Sequence, residues 1–409
     1  MKIHFEEPQF AFQFLRIVGA AASRQADVGE SFATANRIVD GDFESWEREW
    51  RRTGTRIETT ADACLAKGHR ASAGDAYLRA TNYFRAAEFF LHGNPGDPRI
   101  QDLSDRSARC FVEGLRASDI PFEAVDVPYE GTTLPGIFYP ARNPLAAQAG
   151  HGTQTGNGAR RTLIVQTGFD GTIDGLLPWA QAATRRGWNC FAFEGPGQGR
   201  VIRKQGLPFR PDWERVVGSV IDHTVKRPDV DANRLALLGV SFGGLLAPRA
   251  AAFDTRIAAC IANGGVLDFI GPRVPLGMTR EKLVSSLRHA PEQINAAMRA
   301  QAAKSPASRW GIENGMYTFG ASTPVEWLTK VLDYDLTSVA KQIRCPMLVV
   351  DVENDNSFPG EARKLYELLA CPKTWLFFTE DEGAGDHCQT GSPALSQQRI
   401  FDWLDETLS

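Results

Sequence analysis

Between Phe43 and Leu91 apolar and aromatic side chains return every three or four positions while charged residues fill the gaps. That is the period of helices with one face in a core, and Gly93 with Pro95 supplies a stop. The first 120 residues therefore read as a helical domain, and its aromatic stripe as interhelical packing rather than a cofactor box. From Phe122 the texture changes: "FEAVDVPYEGTTLPGIFYPA" alternates about Glu130 and Gly131 as a hairpin does. Six short apolar runs follow, "TLIVQTG" from Thr162, "CFAFEGPG" from Cys190, "RLALLGV" from Arg234, "IAACIANGG" from Ile257, "MLVVDVEND" from Met347 and "KTWLFFTEDEG" from Lys373. Most of the gaps between them hold a helix-length segment, which predicts an α/β, doubly wound, mostly parallel sheet covered on both faces.

Two stretches break this rhythm. Residues 143–161 are small, polar and glycine-rich, the composition of a mobile surface loop without chemistry. Residues 268–335 are too long for a strand connection and contain the helical text "TREKLVSSL" and "PEQINAAMRAQAAK", so they read as a helical cap insertion. The expected organisation is a helical domain over 1–120, an α/β core over 121–267 and 336–409, and the cap over 268–335.

Composition narrows the function. The chain has 409 residues, 43% apolar and 23% charged, enough to build more than one compact unit. Its formal charge of -4 arises from 45 basic and 49 acidic residues spread along the chain, which argues against nucleic acid as a partner. No run of about eighteen uncharged apolar residues occurs, so no membrane span is expected. Glu6, Glu7 and Arg16 spoil the opening stretch as a signal peptide. Seven scattered cysteines without CxxC spacing fit reduced thiols in a cytoplasmic compartment. The seven histidines show no HExxH spacing, and neither a metal nor a cofactor is expected.

Open parallel sheets bind ligands beyond the carboxyl ends of their strands. There the third parallel run delivers Ser241 inside "GVSFGG", between an apolar strand and an alanine-rich helix, the setting of a nucleophile elbow. A serine hydroxyl needs a neighbouring base, and of the histidines only His387 follows a strand, in the loop "EGAGDHCQTG". His4, His69, His92, His151, His223 and His289 fall in helical text, in the polar loop or at the N-terminus, and read as solvated or core residues. The acid that would orient the imidazole comes after the "MLVV" strand. Asp355 is the choice there, with Glu353 in reserve because a strand-end assignment shifts easily by two residues. Asp351 lies within the strand itself. Oxyanion donors are expected from the backbone N–H groups of Phe242, directly after the serine, and Phe169, in the loop "GFDG".

On these motifs, and on "ESWEREWRR", "FEGPGQGR", "ENGMYTFG" and "VENDNSFPGEARKLYELL", the chain resembles α/β-hydrolases of the group containing 2,6-dihydroxypseudooxynicotine hydrolase, the fungal heptaketide hydrolases of pigment synthesis and related bacterial esterase-like proteins. The resemblance implies a serine hydrolase with Ser241, Asp355 and His387 as its triad, an N-terminal helical domain that helps close the site, and commonly a homodimer. The substrate would be an aromatic or polyketide-like small molecule, cleaved at a C–C bond beside a ketone or at an ester or lactone. Asp170 and the cap residues Trp310, Tyr317 and Phe319 are the candidate substrate contacts. The cap aromatics, Phe269 and Trp327 included, serve equally well as packing of a small lid. A peptidase or acyltransferase with the same triad, and a non-catalytic binding protein on a hydrolase scaffold, are the rival readings.

Overall fold

The computed structural model describes residues 3–142, 158–275 and 277–409. The loop expected over 143–161, with His151, lies for residues 143–157 outside the described residues.

The chain begins with five helices, α1 (Pro8–Gly19), α2 (Val28–Ala35), α3 (Phe43–Ala66), α4 (Arg70–Glu88) and α5 (Pro98–Ala117). Their starts are set locally. Asp27, Asp42 and Asp97 each accept a backbone N–H of the first turn of α2, α3 and α5. Glu7 does the same for α1, and Pro8 and Pro98 occupy first-turn positions that need no donor. The helical text from Phe43 to Leu91 is divided by Gly68, whose φ of +77° ends α3 in the left-handed region where glycine costs least. Trp46, Trp50, Tyr83 and Phe84 are fully buried between these helices, with Trp50 and Tyr83 stacked at 5.4 Å.

Among the described residues one sheet of eight strands follows, in the order β1-β2-β4-β3-β5-β6-β7-β8. The strands are β1 (Glu123–Tyr129), β2 (Thr132–Tyr139), β3 (Arg160–Gln166), β4 (Asn189–Phe193), β5 (Val230–Val240), β6 (Ile257–Asn263), β7 (Met347–Val352) and β8 (Lys373–Phe378). β1 and β2 form the antiparallel hairpin, turning through Glu130 and Gly131 at positive φ, the conformation a two-residue hairpin turn demands. β2 pairs antiparallel with β4, and from β4 to β8 every pairing is parallel. Helices cover both faces. α7 (Trp213–Thr224), α8 (Gly243–Ala251) and α13 (Glu361–Leu368) share one apolar core with the sheet, and α6 (Leu177–Arg185) and α14 (Pro393–Thr407) share the other. All five residues of β4 are consequently buried, as a strand covered on both sides requires.

The insertion leaves the sheet after β6. Asp268 and Asp335 form an antiparallel bridge at its neck, and Arg280 bonds the carboxylates of both. Between them lie α9 (Arg280–His289), α10 (Pro291–Ala302), α11 (Pro306–Thr318) and α12 (Pro324–Val331), the last three each opening on a proline. Phe269, Phe319 and Trp327 are buried where this unit meets the core. Gly315 permits that packing, since a Cβ there would run into the Trp327 ring.

Candidate active site

Ser241 sits between β5 and α8 with φ +62°, a left-handed conformation that costs a non-glycine residue about 1–3 kcal/mol. The surrounding glycines make that turn possible. A Cβ on Gly239 would run into the Gly243 carbonyl, one on Gly243 would stand 2.7 Å from the Thr167 carbonyl oxygen, and one on Gly244 would strike the Gly264 carbonyl. The Ser241 N–H donates to the Asn263 carbonyl at the end of β6, 2.8 Å away, which fixes the serine above the neighbouring strand.

His387 arrives from the loop after β8 and is buried. Its Nε2 lies 2.8 Å from the Ser241 hydroxyl, and its Nδ1 lies 3.0 and 2.9 Å from the two Asp355 carboxylate oxygens. Asp355 is held in turn by its own loop, because its Oδ1 accepts the backbone N–H groups of Ser357 at 2.8 Å and Phe358 at 3.0 Å. The two loops are joined directly, the Asn354 N–H donating to the Gly385 carbonyl at 2.9 Å. Glu353 points elsewhere: it is exposed and accepts the Glu380 N–H at 2.8 Å. Asp351 stays in β7, where burial pushes its carboxyl up.

The electrostatics follow from this geometry. Burial opposes an imidazolium at His387, but the Cys388 sulfur, 3.4 Å from Nε2, and the Asp355 carboxylate outweigh it and hold the ring well above its ordinary value. Burial likewise opposes the Asp355 carboxylate, and His387 with the two backbone donors overcomes it, so that this carboxyl lies below its ordinary range.

The loop after β3 lies against the serine turn. A Cβ on Gly168 would stand 2.6 Å from the Phe242 nitrogen and 2.7 Å from the Val240 oxygen, so only glycine lets this loop approach the serine turn so closely. Gln198, from the "GPGQG" stretch, donates Nε2 to the Thr167 carbonyl at 2.8 Å and the Gly168 carbonyl at 3.4 Å. Asn314 of α11 donates to the Phe169 carbonyl at 3.2 Å, and the Thr167 hydroxyl donates to the Gly171 carbonyl at 3.2 Å.

The candidate substrate contacts are placed unequally. Asp170 is engaged by Arg16 of α1 at 3.0 Å. Trp310 stacks on Phe89 at 4.9 Å and meets Phe169 edge-on at 5.9 Å, so it stands against the loop after β3. Tyr317 stacks on His92 at 4.6 Å. Phe319 is 1% exposed and packs among Phe209, Phe242, Phe269 and Tyr334. Sequence reasoning passed over Phe12, whose ring lies 6.4 Å from that of His387, and Arg16. One signal was present, for the two are four apart on a helix and so share a face separate from buried Phe10, Phe14 and Ile17. Of the other histidines, His223 and His289 lie on α7 and α9, His69 precedes α4, His4 packs against Phe5 and Phe14, and His92 is buried.

All seven cysteines are free. Among the described residues no group of three or more His, Cys, Asp or Glu could hold a metal ion, and no helix is long and apolar enough to cross a membrane.

Known proteins share this plan. The model of the alpha/beta hydrolase family matches residues 89–399. The chain is 34% identical over 420 residues to hydrolase LUC6 of Fusarium sp, covering 98% of this chain and 97% of that one. It is 34% identical over 426 residues to 20-hydroxy-prefusarin hydrolase FUS2 of Gibberella moniliformis, covering 99% and 98%. The crystal structure of 2,6-dihydroxy-pseudo-oxynicotine hydrolase superposes with a TM-score of 0.73 at 20% identity over 95% of each chain, a likeness of fold. With the family model covering most of its length and relatives aligned end to end, the chain belongs to the alpha/beta hydrolase family.

Proposed function

We propose that this protein is a serine hydrolase in which Ser241, His387 and Asp355 act as the catalytic triad. The observation that carries the reading is the continuous run of hydrogen bonds from the Ser241 hydroxyl through His387 to Asp355. His387 Nε2 takes the Ser241 proton as Oγ bonds to the substrate carbonyl carbon, and Asp355 stabilises the imidazolium through Nδ1–H. The N–H groups of Phe242 and Phe169 receive the oxyanion; support for this is the close approach of their two loops at Gly168. When the tetrahedral species collapses, the bond to the leaving group breaks and the His387 proton goes to that group. Water then attacks the acyl carbon, its proton passes through His387 to Ser241, and the acid is released.

The substrate on this reading is an aromatic or polyketide-like small molecule. Support comes from a relative named for 20-hydroxy-prefusarin, from Phe12 beside His387 and from Trp310 beside Phe169. The bond cleaved is an ester or lactone, or a C–C bond beside a ketone whose departing carbon is stabilised as an enolate.

A panel of aryl esters and β-diketones, with mass analysis of both product halves, tests the proposal. An acid with an alcohol marks ester cleavage, and an acid with a shortened carbon skeleton marks C–C cleavage. Ser241→Ala should abolish both while the protein still folds; near-normal turnover by that variant would overturn the triad.

A further inference from the structure

The strongest unassigned feature is a chain of buried polar side chains that begins in the N-terminal helices and ends on the loop after β3. Arg203, in the turn of helix over 201–205, grips Glu88 of α4 with two bonds, Nε to Oε1 at 2.7 Å and Nη2 to Oε2 at 2.8 Å. Glu88 Oε1 lies 2.8 Å from His92 Nε2, and His92 Nδ1 lies 2.7 Å from Asn314 Oδ1. Asn314 donates its Nδ2 to the Phe169 carbonyl at 3.2 Å. Glu88, His92 and Asn314 are each at most 5% exposed.

The direction of the two Asn314 bonds is determined. Asn314 must present Nδ2 to a carbonyl, which leaves Oδ1 to accept from His92 Nδ1–H. The other ring nitrogen, Nε2, faces the Glu88 carboxylate at 2.8 Å and Arg203 Nη2 at 3.4 Å. Tyr317 stacks on the ring at 4.6 Å with an interplanar angle of 22°. Removing the His92 donor would free the Asn314 amide to rotate, and the Phe169 carbonyl would lose a fixed partner in a buried site.

Phe169 is where this matters. Its N–H shares a peptide plane with the Gly168 carbonyl, which Gln198 holds, and its carbonyl belongs to the next plane, which Asn314 holds. The two side chains thus grip both planes that flank one Cα, and an oxyanion donor contributes most when it need not reorganise. We infer that Asn314 and His92 are positioning residues that hold the Phe169 N–H in its oxyanion-binding orientation, tying the N-terminal helices and the insertion to the chemistry. This rests on the serine hydrolase reading above.

The test is the rate at which an alkyl fluorophosphonate modifies Ser241, which needs the same oxyanion donors whatever the natural substrate. Asn314→Asp keeps the shape and the oxygen facing His92 but sets a carboxylate oxygen against the Phe169 carbonyl. Its limiting rate should fall about tenfold or more, with the half-saturating probe concentration within about threefold of wild type. His92→Leu should be slowed similarly, and His92→Asn, which restores an N–H toward Asn314, should recover most of the rate; a purely structural role would move melting temperature without this split. Should Asn314→Asp fail to fold, the His92 pair decides. Wild type labelled at Ser241, with Asn314→Asp equally fast or with the two His92 variants alike, overturns the relay alone. Wild type that takes up no label, or Ser241→Ala labelled equally, overturns the hydrolase reading beneath it.

Discussion

Arg16 of α1 pairs with Asp170, 154 residues away in the loop after β3, at 3.0 Å. Phe12, one turn earlier, stands beside His387, and Leu15 on the same helix rests on Gly391, four residues beyond that histidine. The first helix therefore touches the loops on both sides of Ser241. The ion pair is partly exposed, so it contributes about 0–1 kcal/mol to stability. Arg16→Ala should accordingly leave the denaturation midpoint nearly unchanged yet raise KM about tenfold, because a misplaced wall costs substrate positioning more than folding energy. Steady-state kinetics beside a urea melt check this. A variant with wild-type KM would show that α1 is only packing.

The pH dependence has a definite sign. On the proposed mechanism His387 accepts the Ser241 proton only as the neutral imidazole, and Cys388 and Asp355 hold its folded value above the ordinary one of about 6.5. Activity should thus be lost as pH falls, along a limb whose midpoint lies above 6.5, while Asp355 stays ionised throughout that range. Asp355→Asn should cut kcat by on the order of 10³–10⁴ and move the limb down. Glu353→Gln, altering an exposed residue bonded to Glu380, should do neither. A wild-type midpoint below 6.5, or equal effects from the two carboxyl variants, would contradict the arrangement.

Much of this was legible in the sequence, for reasons specific to each element. Strands buried on both faces are unbroken apolar runs, and β4 and β3 stood out because hardly a position in them meets water. Ser241 was legible through the glycines that its turn requires. Asp355 and Glu353 are two apart at a strand end, so alternation puts them on one face and cannot separate them; the turn that gives Asp355 the N–H groups of Ser357 and Phe358 separates them. The aromatic residues of the insertion were ambiguous because spacing does not distinguish a ring that lines a cleft from one that fills a core. His92 read only as a solvated or core histidine, since its partner Asn314 is 222 residues away and no local pattern connects them.

Gly264, after β6, offers a way to displace His387 without substituting it. Its φ is +77°, and a Cβ there would lie 3.0 Å from the Cys388 sulfur and 3.3 Å from His387 Cε1. Gly264→Ala should destabilise the fold by about 1–2 kcal/mol through the left-handed backbone and lower kcat at least tenfold by displacing the ring. Adding Cys388→Ala removes the nearer obstacle and should recover part of kcat but not the stability. If the double variant is no more active than the single one, the steric route through Cys388 is wrong.

Ser241 holds a conformation that its own chemistry does not favour, and that separates strain from function. Ser241→Ala and Ser241→Gly both lose the hydroxyl and its bond to His387, so both should be inactive. They differ in the backbone. Alanine keeps the Cβ at φ +62°, at a cost of about 1–2 kcal/mol, whereas glycine escapes it but adds about 0.4–1 kcal/mol of unfolded-chain entropy. The central difference leaves Ser241→Gly more stable than Ser241→Ala by about 0.8 kcal/mol, within a span of about 0–1.6 kcal/mol, which paired urea titrations measure. Equal midpoints would mean that the serine turn is relaxed, and that the glycines at 239, 243 and 244 serve only the close packing of the strand, the helix and the loop after β3.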